Sequence, residues 1–134
     1  MIGAVIVTHG RLAESLVESA ETITGPVDLM RSVSVKKSDT TEAIRDMLVR
    51  SVHELDKGKG VIIFTDMFGG TPTNVALSLM TEGRVEVITG VNLPVLIKFI
   101  SCRAEKSMRE TALLLKDYGQ KSIVLAAEFL KEKK

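Results

Sequence analysis

The sequence predicts a three-layer, doubly wound α/β fold in which helices cover both faces of a mostly parallel sheet. Residues 3–8 and 61–65 are almost unbroken apolar runs rich in β-branched residues, as is typical of parallel strands buried on both faces. Glycines follow both runs, and the apolar residues after them recur at helical spacing. Two shorter runs, 29–35 and 85–89, alternate with helical segments in the same way. Strands that alternate with helices form parallel sheets with right-handed crossovers.

The strand order that we expect is 2-1-3-4. With the second strand on one side of the first and the third on the other, the first and third strands flank the topological switch point of the sheet. Ligands of such sheets bind there, beyond the carboxyl ends of the strands. The predicted helices cover residues 12–23, 42–55, 73–80, 95–100 and 105–118. The residues suited to cap or end them include Ser38 or Asp39, Asn92 and Gly119.

A last apolar run, residues 122–127, is expected to form a final strand. A strand this apolar would pair with other chains if its edge were exposed, so it must be covered. The short connection over residues 119–121 follows a long helix, and such a hinge can direct a strand to a second subunit, as domain swapping requires. We therefore expect a homodimer.

Length, charge and cysteine content narrow the classes of function. The chain has 134 residues, and we expect a single domain over residues 1–134. Its 18 Lys and Arg against 17 Asp and Glu create no general field for nucleic acid or an anionic membrane. Cys102 is the single cysteine, which excludes an internal disulfide and a cysteine zinc site, and a cytoplasmic location is expected. No apolar run reaches transmembrane length.

His9 is one of two histidines, and it follows the first buried strand directly. Gly10 then breaks the apolar run and a helix begins, so the imidazole lies between a strand end and a helix start. Unpaired backbone N–H groups and the helix dipole favour an anion at such a place. A capping or packing histidine remains the alternative interpretation. His53 is interpreted as a surface residue, because no catalytic partner lies at local helical spacing from it.

Asp66 follows the second buried strand as His9 follows the first. If the strands are adjacent, the carboxylate holds one ring nitrogen as N–H and leaves the lone pair of the other nitrogen free to attack. Gly69 and Gly70 free the backbone beside it, and the N–H donors of the loop suit a phosphoryl group, whose transfer needs positioning more than covalent help. A serine-type hydrolase fits less well, because Thr71 is predicted to be the N-cap of the following helix.

Met67 and Phe68 are two large apolar residues in the loop directly after Asp66. Such residues are either buried under the loop or presented to a partner protein. The sequence leaves both interpretations open.

Three motifs together resemble a known family. They are VTHG at residues 7–10, DMFGGTPTN at 66–74 and GVNLP at 90–94. In order and spacing, and over essentially the whole chain, they are similar to the EIIA domains of the mannose/fructose type in the bacterial phosphoenolpyruvate-dependent sugar phosphotransferase system. The resemblance implies a phosphotransferase enzyme in which His9 accepts a phosphoryl group from the phosphocarrier HPr and passes it to a cysteine or histidine of an EIIB partner.

The resemblance also implies the rest of the site and the assembly. Asp66 would hydrogen-bond the histidine, and neither a metal nor a cofactor is implied. The groups implied around the phosphate are Thr8, Gly10, Gly69, Gly70 and Thr71. The membrane components EIIC and EIID would be indirect partners, and nucleic acid would not be one. Members of the family are dimers that exchange an antiparallel terminal strand.

Alternatives stay open at this point. Many family members carry EIIB in the same chain, whereas here we expect a separate EIIB or a role as a phosphorylation-state regulator. The phosphotransferase subunit of dihydroxyacetone kinase contains a similar domain. From another class, a non-catalytic nucleotide or flavin binder would use the same sheet, although the chain offers one Tyr and no Trp to stack on a ring. The sugar is not named by the sequence, because membrane components contact it.

Overall fold

The computed structural model describes residues 1–132 of the chain. The strands β1 to β4 are Gly3–His9, Met30–Val35, Val61–Thr65 and Val85–Ile88. The helices α1 to α6 are Leu12–Thr24, Thr41–Leu55, Gly70–Ser78, Leu93–Cys102, Met108–Lys121 and Ala126–Glu132. The strands form a sheet of order β2-β1-β3-β4 in which all neighbours are parallel. The predicted fold class and strand order are therefore confirmed.

The two central strands are the two apolar runs of the sequence. β1 and β3 pair in a register that places Gly3 opposite Val61 and Val7 opposite Thr65. Alternate side chains enter separate cores on the two faces of the sheet, and Ile6 belongs to one core and Val7 to the other. Because both faces of these strands are buried, their sequences are continuous apolar runs.

The N-cap residue was predicted correctly for α4 and incorrectly for α2. Asn92 accepts a hydrogen bond from the backbone N–H of Val95 at 3.0 Å, so its predicted cap role in α4 is confirmed. The cap of α2 is Thr40, and neither Ser38 nor Asp39 fills that position. The Asp39 carboxylate instead accepts from the N–H of Lys36 and closes the turn before the helix.

Gly119 does not end α5, which continues to Lys121. A Cβ atom placed on Gly119 would lie 2.5 Å from Cγ2 of Val95. Gly119 therefore allows α5 to pack closely against α4, which is a second common reason for glycine near a helix end. Sequence periodicity does not distinguish this packing role from a C-terminal stop.

The expected final strand over residues 122–127 is not found in the structure. Ser122 caps the end of α5, residues 123–125 have no regular structure, and α6 begins at Ala126. A strand is stable only when it is paired, and no strand within residues 1–132 pairs with this segment. The residues from Ala126 include good helix formers, and they form α6 instead. The exchanged antiparallel strand is not confirmed.

Candidate functional site

β1 and β3 deliver His9 and Asp66 to the same edge of the sheet. His9 is the last residue of β1, and Asp66 follows the last residue of β3. Because these strands are parallel neighbours, their carboxyl ends lie side by side. The ring Nδ1 of His9 lies 2.8 Å from Oδ2 of Asp66, and the backbone N–H of His9 donates to the same oxygen at 3.0 Å. The structure thus brings together the two residues that the sequence singled out.

The carboxylate fixes the protonation pattern of the imidazole. Burial alone would raise the pKa of Asp66, but the hydrogen bonds from the backbone and ring of His9, together with the His9 charge, bring it below its ordinary value of 3.8. Asp66 is therefore an ionised group that only accepts hydrogen bonds at neutral pH. The proton of a neutral His9 must then lie on Nδ1, which leaves the lone pair of Nε2 free. The His9 side chain is 51% exposed, so a reactant can approach it.

Gly70 lies against the free edge of the imidazole. A Cβ atom placed on Gly70 would be 3.1 Å from Cε1 and 3.2 Å from Nε2 of His9. Gly69 and Gly70 have φ angles of 101° and 83°, which favour glycine. Gly70 is the first residue of α3, whose first N–H groups lack partners within the helix. The loop therefore brings a positive helix end to the nitrogen that carries the lone pair.

Thr8 and Gly10 hold the backbone on either side of His9. The Thr8 side chain is fully buried, and its hydroxyl oxygen accepts from the N–H of Ala13 at 2.7 Å. Gly10 has a φ angle of 60°, and its N–H donates to the carbonyl of Val35. Thr8 thus anchors the first turn of α1, and Gly10 turns the chain from β1 into that helix. The Thr8 hydroxyl faces the protein interior, so any contact with a ligand would come from the backbone.

Thr71 is not the N-cap of α3. The cap position is Gly69, the helix begins at Gly70, and Thr71 lies exposed in its first turn. The cap lies two residues before the predicted cap, and the helix begins three residues before the predicted start at residue 73, because the φ angles of the paired glycines turn the chain without a capping side chain. The Thr71 hydroxyl is therefore free of the capping role that the sequence gave it.

Thr73, in α3, is a residue near the site that the sequence did not single out. Its side chain is fully buried, and its hydroxyl oxygen lies 2.7 Å from Oγ1 of Thr65 and 2.5 Å from the carbonyl oxygen of Met67. A threonine inside an apolar helix has several common roles, so its position in the sequence does not indicate a role at the site. Only the fold shows that its hydroxyl contacts both neighbours of Asp66.

The remaining candidates are placed plainly by the fold. His53 is exposed in the last turn of α2, and that helix ends where β3 begins, at the edge of the sheet opposite His9. Met67 and Phe68 are 54% and 79% exposed, so they are presented at the site and not buried under the loop.

Within residues 1–132, no three His, Cys, Asp or Glu side chains lie close enough together to hold a metal ion. No helix in this part of the chain is both long and apolar enough to cross a membrane.

Fold and site together define a class: an open, doubly wound α/β protein with a histidine–carboxylate pair beyond its switch point. Residues 3–114 match the family model described as the fructose IIA component of the phosphotransferase system. The chain therefore belongs to the EIIA family of the sugar phosphotransferase system, whose members are phosphotransferases.

Similar proteins support the same assignment. The chain is 29% identical to the fructose-specific EIIA component of Bacillus subtilis (strain 168), covering 100% of this chain and 92% of that protein. It is 30% identical to the mannose-specific EIIAB component of Escherichia coli (strain K12), covering 91% of this chain and 38% of that protein. The crystal structure of a phosphotransferase system component EIIA from Streptococcus agalactiae has a TM-score of 0.87 and 25% identity, and covers 96% of this chain and 99% of that chain. The predicted family, of the mannose/fructose type, is confirmed.

Proposed function

We propose that the chain, over residues 1–134, is a cytoplasmic EIIA domain that carries a phosphoryl group on His9. The group arrives from phosphorylated HPr and leaves to an EIIB partner, which in turn serves the membrane components EIIC and EIID. One observation carries the proposal. The ionised carboxylate of Asp66 accepts a hydrogen bond from the Nδ1–H of His9, whose side chain is 51% exposed, and this leaves the Nε2 lone pair as the nucleophile.

The chemistry follows from this arrangement. The Nε2 lone pair of His9 forms a bond to phosphorus while the bond between phosphorus and the donor breaks, and the donor keeps that electron pair. The imidazole then carries the phosphoryl group on Nε2 and a proton on Nδ1, which makes the ring cationic. The negative charge of Asp66, 2.8 Å away, stabilises that cation. Transfer to the thiolate or imidazole of EIIB reverses these steps, with Nε2 as the leaving group.

The loop after Asp66 supplies the groups that face the phosphoryl oxygens. Gly70 approaches Nε2 closely enough for the N-terminus of α3 to interact with the transferred group. Thr71 lies in this turn, and we assign its exposed hydroxyl to the phosphate. Backbone donors at a helix N-terminus stabilise the charge of a phosphoryl group without a metal.

Exposed apolar side chains beside His9 suit protein partners. Met67 and Phe68 are joined by Leu12 at the start of α1, which is 46% exposed. Large apolar and aromatic residues in such positions serve as anchors in protein interfaces. We assign this rim to the docking of HPr and of EIIB.

The terminal segment favours a homodimer. Ile123, Val124 and Leu125 are 80%, 58% and 65% exposed. β4 is an edge strand among the described residues, and a cavity of about 490 Å³ between β4 and α5 is lined in part by Ile123. Apolar residues next to an open sheet edge are normally covered. We assign this cover to the second subunit.

The direct test is phosphorylation in a reconstituted system. Incubation with phosphoenolpyruvate, enzyme I and HPr is expected to add one phosphate to the intact mass, and mild acid is expected to remove it, since phosphohistidine is acid-labile. His9→Ala removes the expected acceptor, and His53→Ala is the matched control. Uptake by His9→Ala at the normal rate would refute the assignment, and a wild-type chain that stays unmodified would refute the proposed function.

A further inference from the structure

Two buried hydroxyl groups bracket Asp66 in the chain. Thr65 and Thr73 are both fully buried, and their oxygens lie 2.7 Å apart. Thr65 comes directly before Asp66. Met67 comes directly after it, and its carbonyl oxygen lies 2.5 Å from Oγ1 of Thr73. The Thr73 hydroxyl therefore contacts the residue on each side of the catalytic carboxylate.

The direction of these hydrogen bonds follows from the number of protons. A carbonyl oxygen only accepts, so the single hydroxyl proton of Thr73 is donated to Met67. The Thr73 oxygen is then free to accept from the hydroxyl of Thr65. The result is a short chain of hydrogen bonds from Thr65 through Thr73 to Met67.

Little else in the described structure holds this loop from the helix side. The N-cap of α3 is Gly69, which has no side chain to bond the first turn. Gly69 and Gly70 are also the residues of highest intrinsic backbone freedom. On the strand side, the carbonyl of Thr65 accepts from the N–H of Val91. The hydroxyl of Thr73 is thus the side-chain contact that ties the loop to α3.

We propose that Thr73 is a positioning residue for the phosphoryl transfer by His9. By holding the Met67 carbonyl, it fixes the backbone between Asp66 and Gly70. Asp66 is hydrogen-bonded to Nδ1 of His9, and Gly70 lies so close to the other side of the ring that an added Cβ would be 3.2 Å from Nε2. Loss of the hydroxyl releases a polar carbonyl and loosens both contacts. This inference rests on the proposed function.

The test compares two variants of opposite chemistry. Thr73→Val keeps the shape and removes the hydroxyl, whereas Thr73→Ser keeps the hydroxyl and removes a methyl group. We expect Thr73→Val to accept phosphate from HPr roughly tenfold more slowly than the wild type, because a buried hydrogen bond is lost. The rate of Thr73→Ser is expected to stay within about twofold of the wild-type rate. Thr22→Val is the matched control, because Thr22 lies exposed on α1 and its hydroxyl donates to the carbonyl of Glu18.

A second readout does not depend on the transfer reaction. Nitrogen NMR of His9 reports the Nδ1–H tautomer and its exchange with water, and we expect faster exchange in Thr73→Val than in Thr73→Ser. If Thr73→Val does not fold, Thr73→Ala removes the same hydroxyl without filling its space, and the same differences are expected. A wild-type rate and exchange in the valine or alanine variant would overturn the proposal, as would a serine variant that is equally slow. A wild-type chain that takes no phosphate would instead refute the proposed function, and the NMR comparison would still decide the role of Thr73.

Discussion

Oδ2 of Asp66 accepts two hydrogen bonds from His9, one from the backbone N–H at 3.0 Å and one from the ring Nδ1 at 2.8 Å. The other carboxylate oxygen, Oδ1, is buried and has no hydrogen-bond partner within residues 1–132. The backbone N–H cannot change from donor to acceptor. The atom at the position of Oδ2 must therefore be an acceptor, and this requirement sets the ring tautomer as well.

The first prediction is that Asp66→Asn slows phosphoryl transfer through loss of the negative charge and leaves the tautomer of His9 unchanged. The asparagine is expected to place its amide oxygen at the position of Oδ2, where both donors remain satisfied, and its NH2 group at the position of Oδ1. Without the negative charge, the cationic phosphoimidazole is less stable, and we expect transfer to slow by at least ~10-fold, or ~1.4 kcal/mol in barrier. Single-turnover phosphorylation by HPr measures the rate.

The control for this prediction is Asp117→Asn, which removes an exposed carboxylate paired with Lys121 on α5. It is expected to leave the rate unchanged. NMR of the His9 ring is expected to show the Nδ1–H tautomer in Asp66→Asn as in the wild type. A switch to the Nε2–H tautomer would contradict the geometric argument, and unchanged kinetics would remove Asp66 from the mechanism.

The second prediction concerns Asp56 and the pH dependence of stability. Burial alone would raise the pKa of Asp56, but the backbone N–H groups of Gly58 and Gly60 and the charge and hydrogen bond of Arg84 bring it below its ordinary value of 3.8. A lowered pKa in the folded state means that the stabilisation is fully present above pH 3.8. It is lost as the pH falls through the folded-state value.

The measurement is denaturant unfolding of Asp56→Ala and the wild type across pH. At pH 7 we expect the variant to be less stable by about 1–2 kcal/mol, since three hydrogen bonds to a charged acceptor are lost. The difference is expected to shrink as the pH falls below 3.8. Asp117→Ala, which removes an exposed pair, is the control with little effect. A difference that is constant down to pH 2 would contradict the role of the ionised carboxylate.

The third prediction concerns Phe68, which is 79% exposed beside the site. If this side chain docks HPr, Phe68→Ser is expected to raise the HPr concentration needed for half-maximal transfer by roughly tenfold and to leave the saturating rate nearly unchanged. Thermal unfolding is expected to be unaltered, because little apolar surface is lost from the core. Met80→Ser, at a 47% exposed position just beyond α3, is the control. An equal loss at all HPr concentrations would argue against docking.

The central strands and the His9–Asp66 pair could be predicted from the sequence because both depend on strong patterns. β1 and β3 are buried on both faces, so they appear as uninterrupted apolar runs of the right length. Parallel pairing then places the residues at their carboxyl ends next to each other. The strand order was therefore sufficient to predict that His9 and Asp66 lie close together.

The roles of several other residues could not be predicted from the sequence, because one residue type can serve several structural purposes. Gly119 fits both a helix end and a close contact with Val95, and only the packing of α4 on α5 selects the second. Thr71 and Thr73 are both suited to the start of α3, yet Gly69 fills the cap position, and the Thr73 hydroxyl instead donates to the carbonyl of Met67. The apolar run after Ser122 fits a strand, yet within residues 1–132 no strand pairs with it, and a helix begins at Ala126.

The last prediction is that the protein is a homodimer held by its terminal segment. Ile123, Val124 and Leu125 expose apolar side chains, Ile123 lines the cavity beside β4, and burial of such residues favours association. Sedimentation is expected to give about twice the chain mass. Ile123→Lys puts a charge on this surface and is expected to weaken the dimer at least tenfold, whereas Ile23→Lys, at a 62% exposed position on α1, is expected to leave it intact. A monomeric wild type at micromolar concentration would refute the dimer, and an unaffected Ile123→Lys dimer would place its interface elsewhere.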